Sequence, residues 1–162
     1  MRAILLLTFA LLASSVQAGL ISGRVVHVAD GDTITILDAG KIQYKVRLAG
    51  IDAPEKTQAY GQRSRDSLEE LVAGQTVIVE TTKKDRYGRV VGKVLVNGRD
   101  INIEQIRRGM AWFYRHYEKE QSVSDRLRYD RAEMEAKDDR RGLWADKNPT
   151  PPWDFRQKKR GQ

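Results

Sequence analysis

The chain has no cysteine and only two histidines, His27 and His116, in 162 residues. Without thiols it can form no disulfide, offers no thiol nucleophile and lacks the cysteine a lipid anchor needs. Two imidazoles cannot complete a conventional structural zinc site. Any Ser-His pair would have to use His27 or His116, and neither sits in a recognisable nucleophile motif. Long apolar runs are equally scarce. One spans Ile4 to Leu12, and no later segment is apolar enough to cross a membrane. Proline occurs four times, and three of those fall after Asn148. A chain of this size can bury enough surface to fold without covalent staples.

What is present divides into three parts. Met1-Arg2, the apolar run and the small residues of Val16-Gln17-Ala18 read as a signal peptide over residues 1–18, cleaved after Ala18. This predicts a secreted or periplasmic protein with no stable membrane association. Residues 19–146 read as one domain. Residues 147–162 form a tail with prolines, Trp153 and Phe155, then Arg156, Lys158, Lys159 and Arg160. The tail lacks periodicity and is assigned no element. It reads as an electrostatic tether or a solubilising end, and its aromatic pair can pack back on the domain. The formal charge of +7 suits a polyanionic partner, although many basic domains are simply well solvated.

The first half of the domain is strand-like. Arg24 to Val28, Thr33 to Leu37 and Lys41 to Leu48 are rich in β-branched residues and separated by Asp and Gly turns. A helix over Tyr60 to Ala73 follows, then strands Thr76 to Thr81 and Val90 to Val96. Asp100 caps a short helix to Arg108, an extended piece runs from Met110 to Tyr114, and a charged helix covers Ser124 to Arg140. Five strands with a helix between the third and fourth is the order of an OB-fold, a β-barrel plus helices of the α+β class.

Three short segments carry the charges of interest. In Asp30-Gly31-Asp32-Thr33 the Asp-Gly pair is a hairpin signal. Asp32, however, shares strand parity with Ile34 and Ile36, so it faces the core and needs a cation. In Arg47 to Glu55, Arg47 points away from the face of Val46 and Leu48. Pro54 stiffens the backbone, holding Asp52 and Glu55 near one another with the Ala53 carbonyl free. Alone, that stretch reads as a solvated surface turn. Asp85-Arg86-Tyr87-Gly88-Arg89 reads either as an ordinary polar hairpin or as a phosphate clamp.

Taken in this order, with Tyr60-Gly61, Glu104 to Ala111 and Gly142-Leu143-Trp144, the segments resemble the staphylococcal nuclease family from about Leu20 to Trp144. The resemblance implies a five-stranded OB-fold and a calcium-dependent nuclease acting on DNA and RNA. Such an enzyme leaves 3′-phosphate and 5′-hydroxyl ends. Asp32, Asp52 and the Ala53 carbonyl would hold Ca2+, with waters completing an oxygen shell. Asp30 would support the ligands without being one. Glu55 would orient or deprotonate the attacking water. Arg47 and Arg89 would hold the phosphate, with Arg89 near the leaving oxygen, while Arg86 and Tyr87 would bind substrate. Two departures stand out. Only Lys56 to Ala59 separates Glu55 from Tyr60, where the family's type enzyme has a longer loop. A base-stacking tyrosine of that enzyme falls at Arg115, leaving Tyr114 and Tyr117 as substitutes.

Two other classes compete. A non-catalytic OB-fold module would bind single-stranded nucleic acid without cutting it, but degenerate modules of that kind typically lack the acids and arginines present here. A small-molecule phosphoesterase would not need the basic surface. The default oligomeric expectation is a monomer.

Overall fold

The computed structural model describes residues 19–161, so the signal-peptide reading lies outside the described residues. Strand β1 (Gly19–Asp30) pairs with β2 (Thr33–Leu37), which pairs with β3 (Gln43–Leu48). A two-residue strand β4 (Ile51–Asp52) and helix α1 (Gly61–Val72) come next. Strands β5 (Thr76–Lys84) and β6 (Val90–Val96) follow, with short β7 (Arg99–Asp100) leading into α2 (Ile101–Arg107). Then come β8 (Trp112–Phe113), a 3-10 turn at Arg115–Glu120, α3 (Val123–Asp138) and α4 (Pro152–Arg160).

Five strands close into a barrel. The order β3-β2-β1-β5-β6 returns on itself through a parallel β3–β6 pairing, Val46 opposite Val90. Two register shifts in β1, after Val25 and after Val28, are the bulges that let a long strand curl around a small barrel. Inward positions alternate along each strand: Ile34, Ile36, Val46, Val79 and Val94 are all fully buried. Leu68, Leu71 and Val72 of α1 pack on that core. Helices α2 and α3 pack against each other beside it.

The OB-fold expected from the strand order is what the chain adopts. Strand β1 extends beyond Arg24 and Val28 at both ends. Strand β3 starts at Gln43, later than Lys41, because the Asp38 carboxylate accepts the Ile42 N–H at 2.8 Å and lengthens the turn. The tail reading is corrected at residues 152–160, which form α4. Pro152 sits at the start of this helix, Asp154 in its first turn and Lys158, Lys159 and Arg160 in its last, each where the helix ends favour it.

Candidate active site

Asp32 stands at the barrel mouth. Its backbone N–H donates to the Asp30 carboxylate at 3.1 Å, closing the turn between β1 and β2. Only 5% of Asp32 is exposed, on the face shared with Ile34 and Ile36. Gly31 is there for space: a Cβ would lie 1.8 Å from Ser64 Oγ and 2.8 Å from the Ala53 methyl. Buried Gln105 secures the turn from α2, donating to the carbonyls of Gly31 at 2.8 Å and Ser64 at 3.0 Å.

Arg47 is the cation that Asp32 requires. Placed opposite Thr33 on β3, it points away from Val46 and Leu48 and into the mouth. Its guanidinium lies 3.0 Å from Asp32 Oδ2 and 2.9 Å from Asp52 Oδ1, and it also donates to the carbonyls of Leu48 and Ile51. Asp52 is 1% exposed on β4, held by pairing with Trp112 of β8. The Ala53 N–H donates to Asp32 Oδ2 at 2.7 Å, tying the second segment to the first. Burial pushes the Asp32 carboxyl well above its ordinary pKa. Arg47 opposes the shift, and the charges of Asp30 and Asp52 add to it.

Glu55 sits on the short loop before α1. Its N–H donates to the Gln58 side chain at 3.1 Å, and its carbonyl accepts the Gln58 N–H at 2.8 Å. The start of α1 lies so close that a Cβ on Gly61 would be 2.0 Å from the Glu55 carbonyl oxygen. Tyr60, just before it, takes a left-handed φ of 66° to make that turn. The Tyr60-Gly61 pair thus fixes where Glu55 stands.

Arg89 and its neighbours form another wall. Arg89 Nε donates to Asp85 Oδ2 at 2.7 Å, and the backbone N–H groups of Tyr87 and Arg89 donate to Asp85 Oδ1. Burial pushes the Asp85 carboxyl up, yet the hydrogen bonds from Arg89 and Tyr87 outweigh it and hold it below its ordinary value. The guanidiniums of Arg86 and Arg89 lie 4.9 and 5.4 Å from the Tyr87 ring centre, with the ring 68% exposed. Tyr117 is exposed with Lys83 Nζ 5.0 Å over its ring. Tyr114 is instead stacked between Trp153 and His116. Arg115 is committed elsewhere, bound to Asp130 and, at 2.9 Å, to buried Glu133. All nine residues expected at the site, Asp32, Arg47, Asp52, Ala53, Glu55, Arg86, Tyr87, Arg89 and Tyr117, border one open cleft of about 830 Å³.

Arg156 of α4 was not foreseen. It donates to Asp52 Oδ1 at 3.2 Å, to Asp52 Oδ2 at 2.7 Å and to Glu55 Oε1 at 2.7 Å. Hydrogen bonding to Asp52 raises the guanidinium pKa, with burial opposing and Glu55 adding. The available signal was Pro152 followed by an acid and then bases, a helix start that sets Trp153 and Arg156 one turn apart on the same face.

The donors at the mouth suit a hard cation. Asp32 and Asp52 are enclosed, oppose each other's charge and present only oxygen, which a divalent ion between them would relieve. Among the described residues no three acidic or imidazole side chains form a metal cage, so carbonyl and water oxygens would have to complete the shell.

The family model described as "Staphylococcal nuclease homologue" matches residues 45–146. The chain is 44% identical over 140 residues to an uncharacterized endonuclease of Escherichia coli, covering 86% of this chain and 87% of that one. It is 42% identical over 143 residues to micrococcal nuclease of Shigella flexneri, covering 83% and 79%. A staphylococcal-like nuclease of Arabidopsis thaliana, CAN1, is 38% identical over 119 residues, covering 74% and 35%.

Proposed function

The chain belongs to the staphylococcal nuclease family, and from that premise we propose that it is a calcium-dependent nuclease of DNA and RNA. It cuts phosphodiester bonds with little sequence preference and leaves 3′-phosphate and 5′-hydroxyl ends. The observation that carries this reading is the meeting of Asp32, Asp52, Glu55, Arg47 and Arg89 around one cleft, with Asp32 and Asp52 enclosed and Tyr87 exposed beside them.

Asp32 and Asp52 would hold the cation, with the Ala53 carbonyl. When bound, calcium supplies positive charge to a phosphoryl oxygen and lowers the pKa of a water. Glu55 is the group placed to orient that water or accept its proton. The water oxygen bonds to phosphorus as it gives up a proton, the bond from phosphorus to the 5′ oxygen breaks, and that oxygen leaves as a hydroxyl by taking up one proton from solvent. Arg89, steered by Asp85, offsets the charge on the phosphoryl oxygens and the departing oxygen. Arg86, Tyr87 and Tyr117 line the path of the strand. Backbone contacts of this kind need no base reading. The exported protein starts at Gly19, is a monomer and has no stable membrane association. Among the described residues no helix is long and apolar enough to cross a membrane.

A gel assay of the chain from Gly19, on linear DNA and on RNA with calcium, magnesium or chelator, tests the reading. Both polymers should disappear with calcium alone. A shifted band with intact polymer under every metal would overturn it in favour of a binding module.

A further inference from the structure

Asp52 has no free oxygen. Oδ1 accepts from Arg47 and Arg156 at 2.9 and 3.2 Å, and Oδ2 accepts from Arg156 at 2.7 Å. Glu55 Oε1 is taken by the same Arg156 at 2.7 Å. A cation approaching Asp52, or a water approaching that oxygen of Glu55, therefore meets an occupied partner. One of the two guanidiniums must withdraw.

The two differ in how firmly they are held. Arg47 has its side chain 16% exposed and is also bonded to two main-chain carbonyls. Its position is set by β3. The Arg156 side chain is 33% exposed, and its described hydrogen bonds go only to Asp52 and Glu55. Helix α4 has separate anchors. The Trp153 ring lies 5.6 Å from Trp112 and 5.4 Å from Tyr114, and Gln58 donates to the Thr150 carbonyl at 2.6 Å. The guanidinium can swing away while the helix stays docked.

We propose that Arg156 is a positioning residue, a resident guanidinium that holds Asp52 and Glu55 as a pair and is exchanged for the divalent cation. It rests on the metal-dependent reading above and adds a residue beyond residue 146, where the family match ends. Asp52 already carries two guanidiniums at hydrogen-bond distance, and a divalent cation added as a third positive group would be repelled by both. Cation entry and Arg156 withdrawal are thus one equilibrium. The apparent cation affinity is the intrinsic affinity scaled by the fraction of chains in which Arg156 is already off. Glu55 is released in the same step, so the water-handling carboxylate becomes free as the metal arrives.

The test is calorimetric titration of calcium into the chain from Gly19, without nucleic acid, for the parent, Arg156→Gln, Arg156→Lys and Trp153→Ala. Circular dichroism checks the fold of each. Removing the competitor should tighten calcium binding by about tenfold in Arg156→Gln. Arg156→Lys, which keeps the charge and loses the fork, should fall between it and the parent. Trp153→Ala, which loosens α4, should shift in the same direction as Arg156→Gln. Equal or weaker binding in both Arg156→Gln and Trp153→Ala would overturn the proposal, as would calcium binding to none of the four. Tighter binding in the variants with DNA left uncut would keep the exchange and discard the nuclease reading.

Discussion

Arg47 makes the enclosure of Asp32 and Asp52 tolerable, because one side chain reaches both carboxylates and two carbonyls. Arg47→Ala should cost about 3–5 kcal/mol, the usual penalty for leaving buried charge unpaired, read as the shift in urea unfolding. Glu55 and Arg89 are more open, so their loss should spare the fold. Glu55→Gln and Arg89→Ala should each lower kcat by at least about 100-fold with melting behaviour unchanged. Wild-type rates in either would sink the assigned roles. Gly31→Ala forces a methyl onto Ser64 Oγ and should destabilise by roughly 1–3 kcal/mol, measurable by the same unfolding. At this scale the sequence was informative where strand parity applied. Asp32 could be placed beside Ile34 and Ile36, and Arg47 opposite Val46 and Leu48. It was silent on Gln105, whose contacts with Gly31 and Ser64 span 74 and 41 residues and leave no local pattern.

Among the elements, α2 and α3 are joined by a polar contact inside an apolar seam. Asp100 caps α2 through the Ile103 N–H and accepts the Tyr129 hydroxyl of α3 at 3.1 Å. Burial raises the Asp100 pKa above 3.8, outweighing the Ile103 and Tyr129 hydrogen bonds. A carboxyl raised on folding contributes fully below its unfolded pKa, and the contribution fades as pH rises through the folded value. Asn keeps both hydrogen bonds without the charge. Asp100→Asn should therefore gain stability relative to the parent as pH rises from below 3.8 toward neutrality. Urea midpoints at both ends of that range check the sign. Alternating β-branched runs made the barrel strands readable. The β4–β8 pair is two residues long on each side and has no periodicity to detect. Helix α4 is short and carries only end signals, Pro152 and its terminal charges, while Trp153 packing across the fold holds it in place.

Over the whole molecule, the basic charge is carried past the cleft. A second hollow of about 370 Å³ shares Glu55, Arg156 and Arg160 with it and adds Lys56 and Lys159. A strand lying across the cleft would meet these cations next. Replacing Lys56 and Lys159 by Ala should weaken single-strand binding and reduce the salt slope by about 0.7 per lost contact. Cleavage of a dinucleotide, too short to reach them, should be unchanged. An unaltered slope would show that this side of α4 meets no phosphate.

The pairing of Arg156 with Asp52 and Glu55 spans 104 and 101 residues, so synthesis produces the acids long before their partner. Sequence beyond a folded core is usually where an experimenter attaches a handle, on the ground that it is expendable. Here that stretch is wired to the chemistry. A purification tag joined directly behind α4 lies next to the helix that places Arg156 on Asp52 and Glu55, so a tag-free chain is the one to assay.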